Sequence, residues 1–364
     1  MSADLTTKQL LDNISALLEN ARNKVVVAVN QTIVLTYFEI GRMIIEDEQN
    51  GENRAEYGKE QLKFISKNLT KKFGKGFSET NLKLMRQFFL SYSIRQTPSD
   101  ESGKLISSTL LTNSQNHQSS LIQHTLSVNF KLSWSHYLKL MRIKDVNERK
   151  FYEIESFKNN WSLRELQRQY DSALYTRLSL SKNKEEIIQL SEKGQIIEKP
   201  RDLIKDPYVL EFLGLSEKPN YSETELESEL IDKLEHFLLE LGTGFTFVAR
   251  QNRITFDEKH FKIDLVFYNR VLRCFVLIDL KIGELKHQDI GQMQMYVNYY
   301  DREKRLEDEN KTIGIILCQD KSEALVRYTL PEDNEQVFAS KYFTILPSKE
   351  DFINILNSDN GKTS

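Results

Sequence analysis

The tightest constraint on the fold lies between residues 263 and 281. Two apolar runs, IDLVFY at 263–268 and CFVLIDLK at 274–281, are rich in β-branched and aromatic residues, and a short polar turn at Asn269 and Arg270 separates them. This is the pattern of two paired strands. Asp264 falls inside the first run, and Asp279 and Lys281 close the second. Two positions apart on a strand, Asp279 and Lys281 project from one face. A charge carried into a buried strand is costly unless it is paired or used. Two carboxylates that hold a divalent cation, with a lysine beside them, resolve that cost and create a reaction centre. The blander reading is an Asp279–Lys281 ion pair at a strand end. An aspartate on the neighbouring strand and an acidic helix earlier in the chain favour the site.

The surrounding pattern supports an α/β sheet. Ser222 and Glu225 form a capping box that opens a helix with Leu226, Leu230, Leu234, Phe237 and Leu241 on its inner face, and Gly242 and Gly244 stop it. Strand-like runs follow at 245–251, 261–268 and 272–281, then a helix through Met293, Tyr296 and Tyr299, a strand at 312–319 and a last strand near 342–346. A short helix is expected near 208–212. Helix, three strands, helix, strand predicts an α/β C-terminal domain with the charged strand ends gathered at one edge.

The front of the chain has a different character. Residues 1–200 hold 29 Lys and Arg against 23 Asp and Glu, whereas residues 201–364 hold 21 against 30. A basic front and an acidic back suggest polyanion contact in one and cation binding in the other. Apolar spacing predicts helices over 8–49, with a second amphipathic run from Val25 to about Ile45. The most basic stretch, 58–96, reads as helix, glycine-containing turn and helix, with Ser78 placed to cap the second helix. That outline is a helix-turn-helix, and Lys67, Lys71, Lys72, Lys75, Asn81, Lys83 and Arg86 are its candidate DNA contacts. A solvated helical hairpin is the equal alternative. Residues 96–129 are polar and read as a loop or insertion. Beyond them, Asp145 with Glu148 and Ser162 with Glu165 form capping boxes. Trp134, Tyr137, Phe151, Tyr152, Trp161 and Tyr170 are expected to pack helices together, and His136 to be a satisfied structural histidine.

The expected organisation is a mainly α-helical domain over 1–180, a linker over 181–200, an α/β domain over 201–357 and a disordered tail over 358–364. No apolar run approaches the ~20 residues that span a bilayer, and the N-terminus lacks a signal-peptide pattern. Cys274 and Cys318 lie in apolar strand-like runs and read as buried free thiols. A cytoplasmic chain with no membrane partner is the expectation.

Phosphodiester hydrolysis needs an activated water, charge relief in the transition state and a stabilised leaving oxygen, and a divalent metal assists all three. Mg²⁺ keeps several waters and needs only a few carboxylates. Asp264 and Asp279 with the Leu280 carbonyl would supply such a site, with Glu227 reaching it through water. Lys281 would orient or deprotonate the attacking water, or balance developing charge.

The set Glu227, Asp264, Asp279-Leu280-Lys281 and Gln292-x-x-x-Tyr296 resembles the PD-(D/E)XK nuclease pattern, and the segments LESELIDKLEHFLLELGTGFTFVARQ and IDLVFYNRVLRCFVLIDLKIGELKHQDIGQMQMYVNYY are similar to the YhcG-type nucleases of that superfamily. The segments EYGKEQLKFISKNLTKKFGKGFS and WSLRELQRQYDSALYTRL resemble that family's helical domain. The resemblance implies a restriction-endonuclease-like mixed sheet flanked by helices, behind a winged-helix-like domain that binds DNA. It implies Mg²⁺, with Mn²⁺ as the alternative, held by Asp264 and Asp279 with Glu227 in support. Lys281 becomes the catalytic lysine, and Gln292 and Tyr296 face the site from the following helix. The family usually carries Glu where this chain has Asp279. Which of Glu225, Glu227 and Glu229 supports the metal stays open at this point. A homodimer, and protein partners through the N-terminal domain, complete the expected partners beside DNA. A non-catalytic DNA-binding or complex-assembling protein is the alternative, as is an RNA-directed nuclease, because nothing here reads the 2′-hydroxyl.

Overall fold

The computed structural model describes residues 2–50, 55–93, 130–179, 184–215, 221–256, 258–346, 348, 350 and 352–354. The expected loop at 96–129 and the expected tail therefore lie outside the described residues. The chain divides into two compact units, Met1–Leu163 and Arg164–Ser364.

In the first unit, α1 (Ser2–Asn50) is followed by α2 (Ala55–Phe73), α3 (Glu79–Ser93), α4 (Trp134–Leu140) and α5 (Val146–Lys158). The two helical runs expected over 8–49 are one helix, since no proline or glycine interrupts residues 2–40. Gly41 sits where α1 crosses α3, and a Cβ there would lie 2.1 Å from the Met85 carbonyl oxygen. The turn between α2 and α3 uses Gly74 and Gly76 at φ 83° and 123°. The Ser78 hydroxyl then accepts the Asn81 N–H at 3.2 Å, as its capping role predicts. Phe38, Phe88, Tyr92, Phe130, Trp134 and Tyr137 form an aromatic core, with Phe88 and Phe130 centroids 4.9 Å apart. Asp145 caps α5 by accepting from the Glu148 N–H at 2.7 Å. The His136 ring bonds Ser133 and the Trp161 carbonyl. Among the described residues of this unit there is no strand, so the helix-turn-helix outline stands without a wing.

The second unit gathers α6 (Leu163–Asp171, all but its first residue), α7 (Leu174–Ser179) and α8 (Lys184–Lys193) before the sheet begins. The α8 helix falls inside the stretch expected to link the domains, and it buries Leu190. The helix expected near 208–212 is replaced by strand β1 (Tyr208–Val209) and a 3₁₀ turn at Glu211–Leu213. Pairing acts with the strand preference of Tyr and Val here: Tyr208 and Val209 run parallel to Tyr342 and Phe343, and the Leu210 N–H reaches the Phe343 carbonyl at 2.7 Å. The single helix expected after Ser222 is two, α9 (Glu223–Asp232) and α10 (Leu234–Leu241), broken at Lys233. The ammonium of Lys233 turns back to the Leu213 carbonyl at 2.6 Å.

Strands β2 (Phe245–Phe256), β3 (Lys259–Asn269) and β4 (Cys274–Glu284) follow. The chain continues through α11 (His287–Glu303), β5 (Ile313–Asp320), α12 (Glu323–Thr329) and β6 (Val337–Phe343). The spatial order is β1-β6-β5-β4-β3-β2. β2, β3 and β4 pair antiparallel, whereas β4, β5, β6 and β1 run parallel. Leu226, Leu230, Phe237 and Leu241 of α9 and α10 pack on one face against Leu265, Phe267 and Ile278. On the other, Ile290, Met293 and Val297 of α11 pack against Val266, Leu277 and Ile316. Gly314 of β5 permits that second approach, since a Cβ would lie 2.5 Å from the Met293 sulfur. Cys274 and Cys318 are buried free thiols, as expected. Among the described residues no helix is long and apolar enough to cross a membrane.

Candidate active site

The site forms where one ladder stops. The last register pair between β3 and β4 is Leu265 with Ile278, so Asp264 and Asp279 stand opposite each other one step beyond it. Instead of the ladder continuing, the Leu280 N–H donates to Asp264 Oδ2 at 2.8 Å. Asp279 is 1% exposed. The Lys281 ammonium approaches Asp279 Oδ2 to 2.9 Å from the same strand face.

The three candidate helix glutamates differ in what each touches. Glu225 is spent on its capping box, accepting from the Ser222 N–H at 2.6 Å and hydroxyl at 3.0 Å. Glu229 pairs with Lys233 at 3.0 Å. Glu227 alone of the three is buried, and its Oε1 has no hydrogen-bond partner among the described residues. The Arg250 guanidinium lies 3.8 Å from that oxygen.

Gln251 ties Glu227 to the strands. Its amide nitrogen donates to Glu227 Oε2 and, at 3.3 Å, to Asp264 Oδ1. The backbone of Gln251 is left-handed, at φ 46°, a costly state for a non-glycine residue and one that concentrates at functional sites. Sequence reading missed Gln251 because a neutral side chain in a strand raises no charge to explain. It also missed Glu223, whose carboxylate accepts the Ile282 N–H at 3.2 Å.

Electrostatics mark these carboxylates as under-compensated. Burial and the neighbouring Asp264 push Asp279 up to about 7, against the pull of Lys281. Burial raises Asp264 as well. Burial works against the charge on Lys281, but Asp279 outweighs it and holds the ammonium up to about 12. A buried and a half-buried carboxylate with one lysine, and an orphaned glutamate oxygen nearby, fit a hard divalent cation with oxygen ligands. Among the described residues no group of three or more Asp, Glu, His or Cys side chains encloses an ion by itself. Such a cation would therefore rely on Asp264, Asp279, backbone oxygen and water.

Gln292 and Tyr296 sit beside this centre in a bracing role. The Gln292 amide donates to the Tyr296 hydroxyl, which donates at 2.8 Å to the carbonyl of Lys262, two residues before Asp264. Burial raises the Tyr296 hydroxyl above its ordinary range.

The candidate DNA contacts divide into two groups. Lys67, Lys71, Lys72, Lys75 and Lys83 are exposed, with the Lys72 ammonium 5.2 Å from the Phe73 ring centroid. Asn81 and Arg86 are engaged within the helical unit. Asn81 donates to the Gly76 carbonyl and accepts from the Trp134 indole at 3.3 Å, while Arg86 pairs with Glu48 at 2.7 Å.

Comparison with known proteins gives consistent matches. Residues 201–356 match the YhcG PDDEXK nuclease domain, and residues 13–177 match the DUF1016 N-terminal domain. The YhcG protein of Escherichia coli (strain K12), named as a presumed nuclease, is 40% identical over 345 residues, covering 94% of this chain and 92% of its own. A crystal structure of a repair endonuclease from Pyrococcus abyssi is 18% identical over 36% of this chain and 50% of its own, at a TM-score of 0.26. An EndoMS–dsDNA complex is 17% identical over 36% of this chain and 49% of its own, also at 0.26. Likenesses that slight carry no argument.

Proposed function

The chain belongs to the YhcG family of PDDEXK nucleases, and from that premise we propose that it hydrolyses phosphodiester bonds of DNA with Mg²⁺, or Mn²⁺ in its place. The observation that carries the reading is the opposition of Asp264 and Asp279 where the β3–β4 ladder ends, with Lys281 on the same face as Asp279. Asp264, Asp279 and the Leu280 carbonyl would hold the cation, and Glu227 would support it from α9. When bound, a divalent cation there neutralises phosphoryl charge and lowers the pKa of a bound water. Asp264 is held for this work by the Leu280 N–H and the Gln251 amide. Lys281, kept protonated by Asp279, serves as a fixed positive charge facing the phosphorane-like transition state rather than as a base. Tyr296 and Gln292 fix α11 against the end of β3 that carries Asp264.

In this reading the exposed lysines of the α2–α3 segment contact phosphates. Alanine at Lys67, Lys71, Lys72 and Lys75 then flattens the salt dependence of DNA affinity, by roughly 0.9 in log–log slope for each phosphate left unneutralised. Cutting both strands of a duplex from a chain with one such site calls for two copies.

The test of the catalytic reading is cleavage of plasmid DNA by purified protein with Mg²⁺ and with EDTA, beside Asp279→Ala. Cutting should require the metal and vanish in the variant. Equal cutting by the two proteins overturns the assignment, and metal-dependent cutting of RNA alone corrects the substrate.

A further inference from the structure

The helix α1 changes character along its length. Its later part is used inside the first unit: Val34, Phe38 and Ile44 are buried, and Phe38 stacks among Phe88, Phe89 and Phe130. The earlier part is apolar and uncovered. Ile14, Leu17, Leu18, Val25, Val29 and Ile33 are between 39 and 69% exposed. From Val25 to Val29 five consecutive residues are apolar, so that turn is hydrophobic on every side, the signature of a helix that is buried in its working state.

We infer that this part of α1 is a homodimerisation helix, and that its partner is the same helix of a second copy of the chain. The spacing identifies the partner. Ile14, Leu18, Ala21, Val25, Ala28 and Thr32 follow one another at intervals of four, three, four, three and four. That is the 3.5-residue period of a coiled-coil seam, which requires a second helix of matching period. A seam that meets its own copy satisfies the self-complementarity of a two-fold contact. The exposed side chains present an apolar patch on the order of several hundred Å², of the size that marks an interaction surface when it is contiguous. That patch approaches the roughly 800 Å² per partner of a stable interface. Residues 14–32 give just under three heptads, or about 28 Å of helix, to carry it. Small Ala21 and Ala28 at alternate layers let two backbones approach closely. The inference stands apart from the nuclease reading, although two copies would also supply two reaction centres for a duplex.

Sedimentation equilibrium of the full chain tests it, with the double variant Leu18→Gln/Val25→Gln as comparison. Glutamine keeps helix propensity at least as good as valine's, and both side chains are exposed within the chain, so a folded monomer should tolerate the change. The wild type should sediment at twice 42.7 kDa. The variant should weaken dimerisation at least about a hundredfold, with its circular dichroism and thermal unfolding retained when measured as monomer. Backbone amides of residues 14–33 should gain hydrogen-exchange protection as wild-type concentration rises. A monomeric wild type, a dimer that survives the double substitution, or protection independent of concentration overturns the inference.

Discussion

Glu240 and Asp279 are both almost completely hidden in the second unit, and the protein treats the two charges in opposite ways. Around Glu240 the compensation is generous. Arg177 reaches it at 2.7 Å and Arg168 at 3.2 Å, the Val209 N–H donates at 3.0 Å, and Lys205 lies close enough to stabilise the charge. Burial works to raise this carboxyl, but Arg177, Lys205 and Arg168 overcome it and hold the group at about 2. Around Asp279 the compensation is short. Burial and Asp264 push it up to about 7, and Lys281 alone pulls the other way. A buried acid that only stabilises a fold is matched by its own neighbours, whereas one that must accept a cation or a substrate phosphate is left wanting positive charge. The two are buried to nearly the same degree, so the contrast lies in the partners.

The largest effects break the comparison cleanly. Asp279→Ala should reduce cutting at least about a thousandfold, while chemical denaturation of the metal-free protein shows no loss of stability, because a poorly compensated charge has been removed. Glu240→Ala should do the reverse. It strands Arg177 in the interior and costs about 3–5 kcal/mol, with cutting per folded molecule unchanged. If both variants lost stability alike, the two acids would be structural equals and the distinction would fail.

Proton linkage offers a smaller, sharper test. Glu240 is depressed from 4.5 to about 2, so its contribution is complete above pH 4.5 and disappears as pH falls toward 2. The size is on the order of 3 kcal/mol. Asp279 is raised from 3.8 to about 7, so the folded state takes up a proton there more readily than the unfolded chain. Its cost therefore starts above pH 3.8 and is complete above about 7. Denaturation of the metal-free protein against pH should show stability declining from pH 4 to 7. That decline should be shallower in Asp279→Asn, and the acid limb below pH 4.5 should be absent in Glu240→Ala.

The sequence made the second unit's architecture readable where charge or period was conspicuous. Asp264, Asp279 and Lys281 stood out because ionic groups inside apolar strands demand an explanation, and register then set Asp264 opposite Asp279. Ser222 with Glu225 marked the start of α9 for a similar reason, as both ends of that capping box are local. What escaped notice depended on distant partners. Tyr208 and Val209 favour a strand locally, but two residues are too short a run to announce one, and they become a strand because Tyr342 and Phe343, far along the chain, offer a parallel edge. The different surroundings of Glu227 and Glu229 depend on Gln251 and Lys233 in three dimensions. The bonds of Asn81 to Gly76 and Trp134, and of Arg86 to Glu48, likewise join residues that sequence spacing does not bring together.

Gln251 gives the smallest of the expected changes and separates backbone from side chain at the site itself. Its amide satisfies one oxygen each of Glu227 and Asp264, but its backbone occupies a conformation natural to glycine. Gln251→Ala removes the amide and keeps the unfavourable backbone, so Glu227 loses a donor on top of an oxygen already without one. The cost should be about 1–3 kcal/mol in the metal-free protein. Gln251→Gly loses the same amide but accepts φ 46° freely, so it should be less destabilised than the alanine variant by up to about 1 kcal/mol. Divalent cation should narrow the deficit of both variants, because positive charge near Asp264 and Glu227 replaces what the amide supplied. If alanine and glycine were equally stable, the left-handed backbone would carry no strain. If cation left both deficits untouched, Gln251 would belong with the closed network around Glu240 rather than with the open one around Asp279.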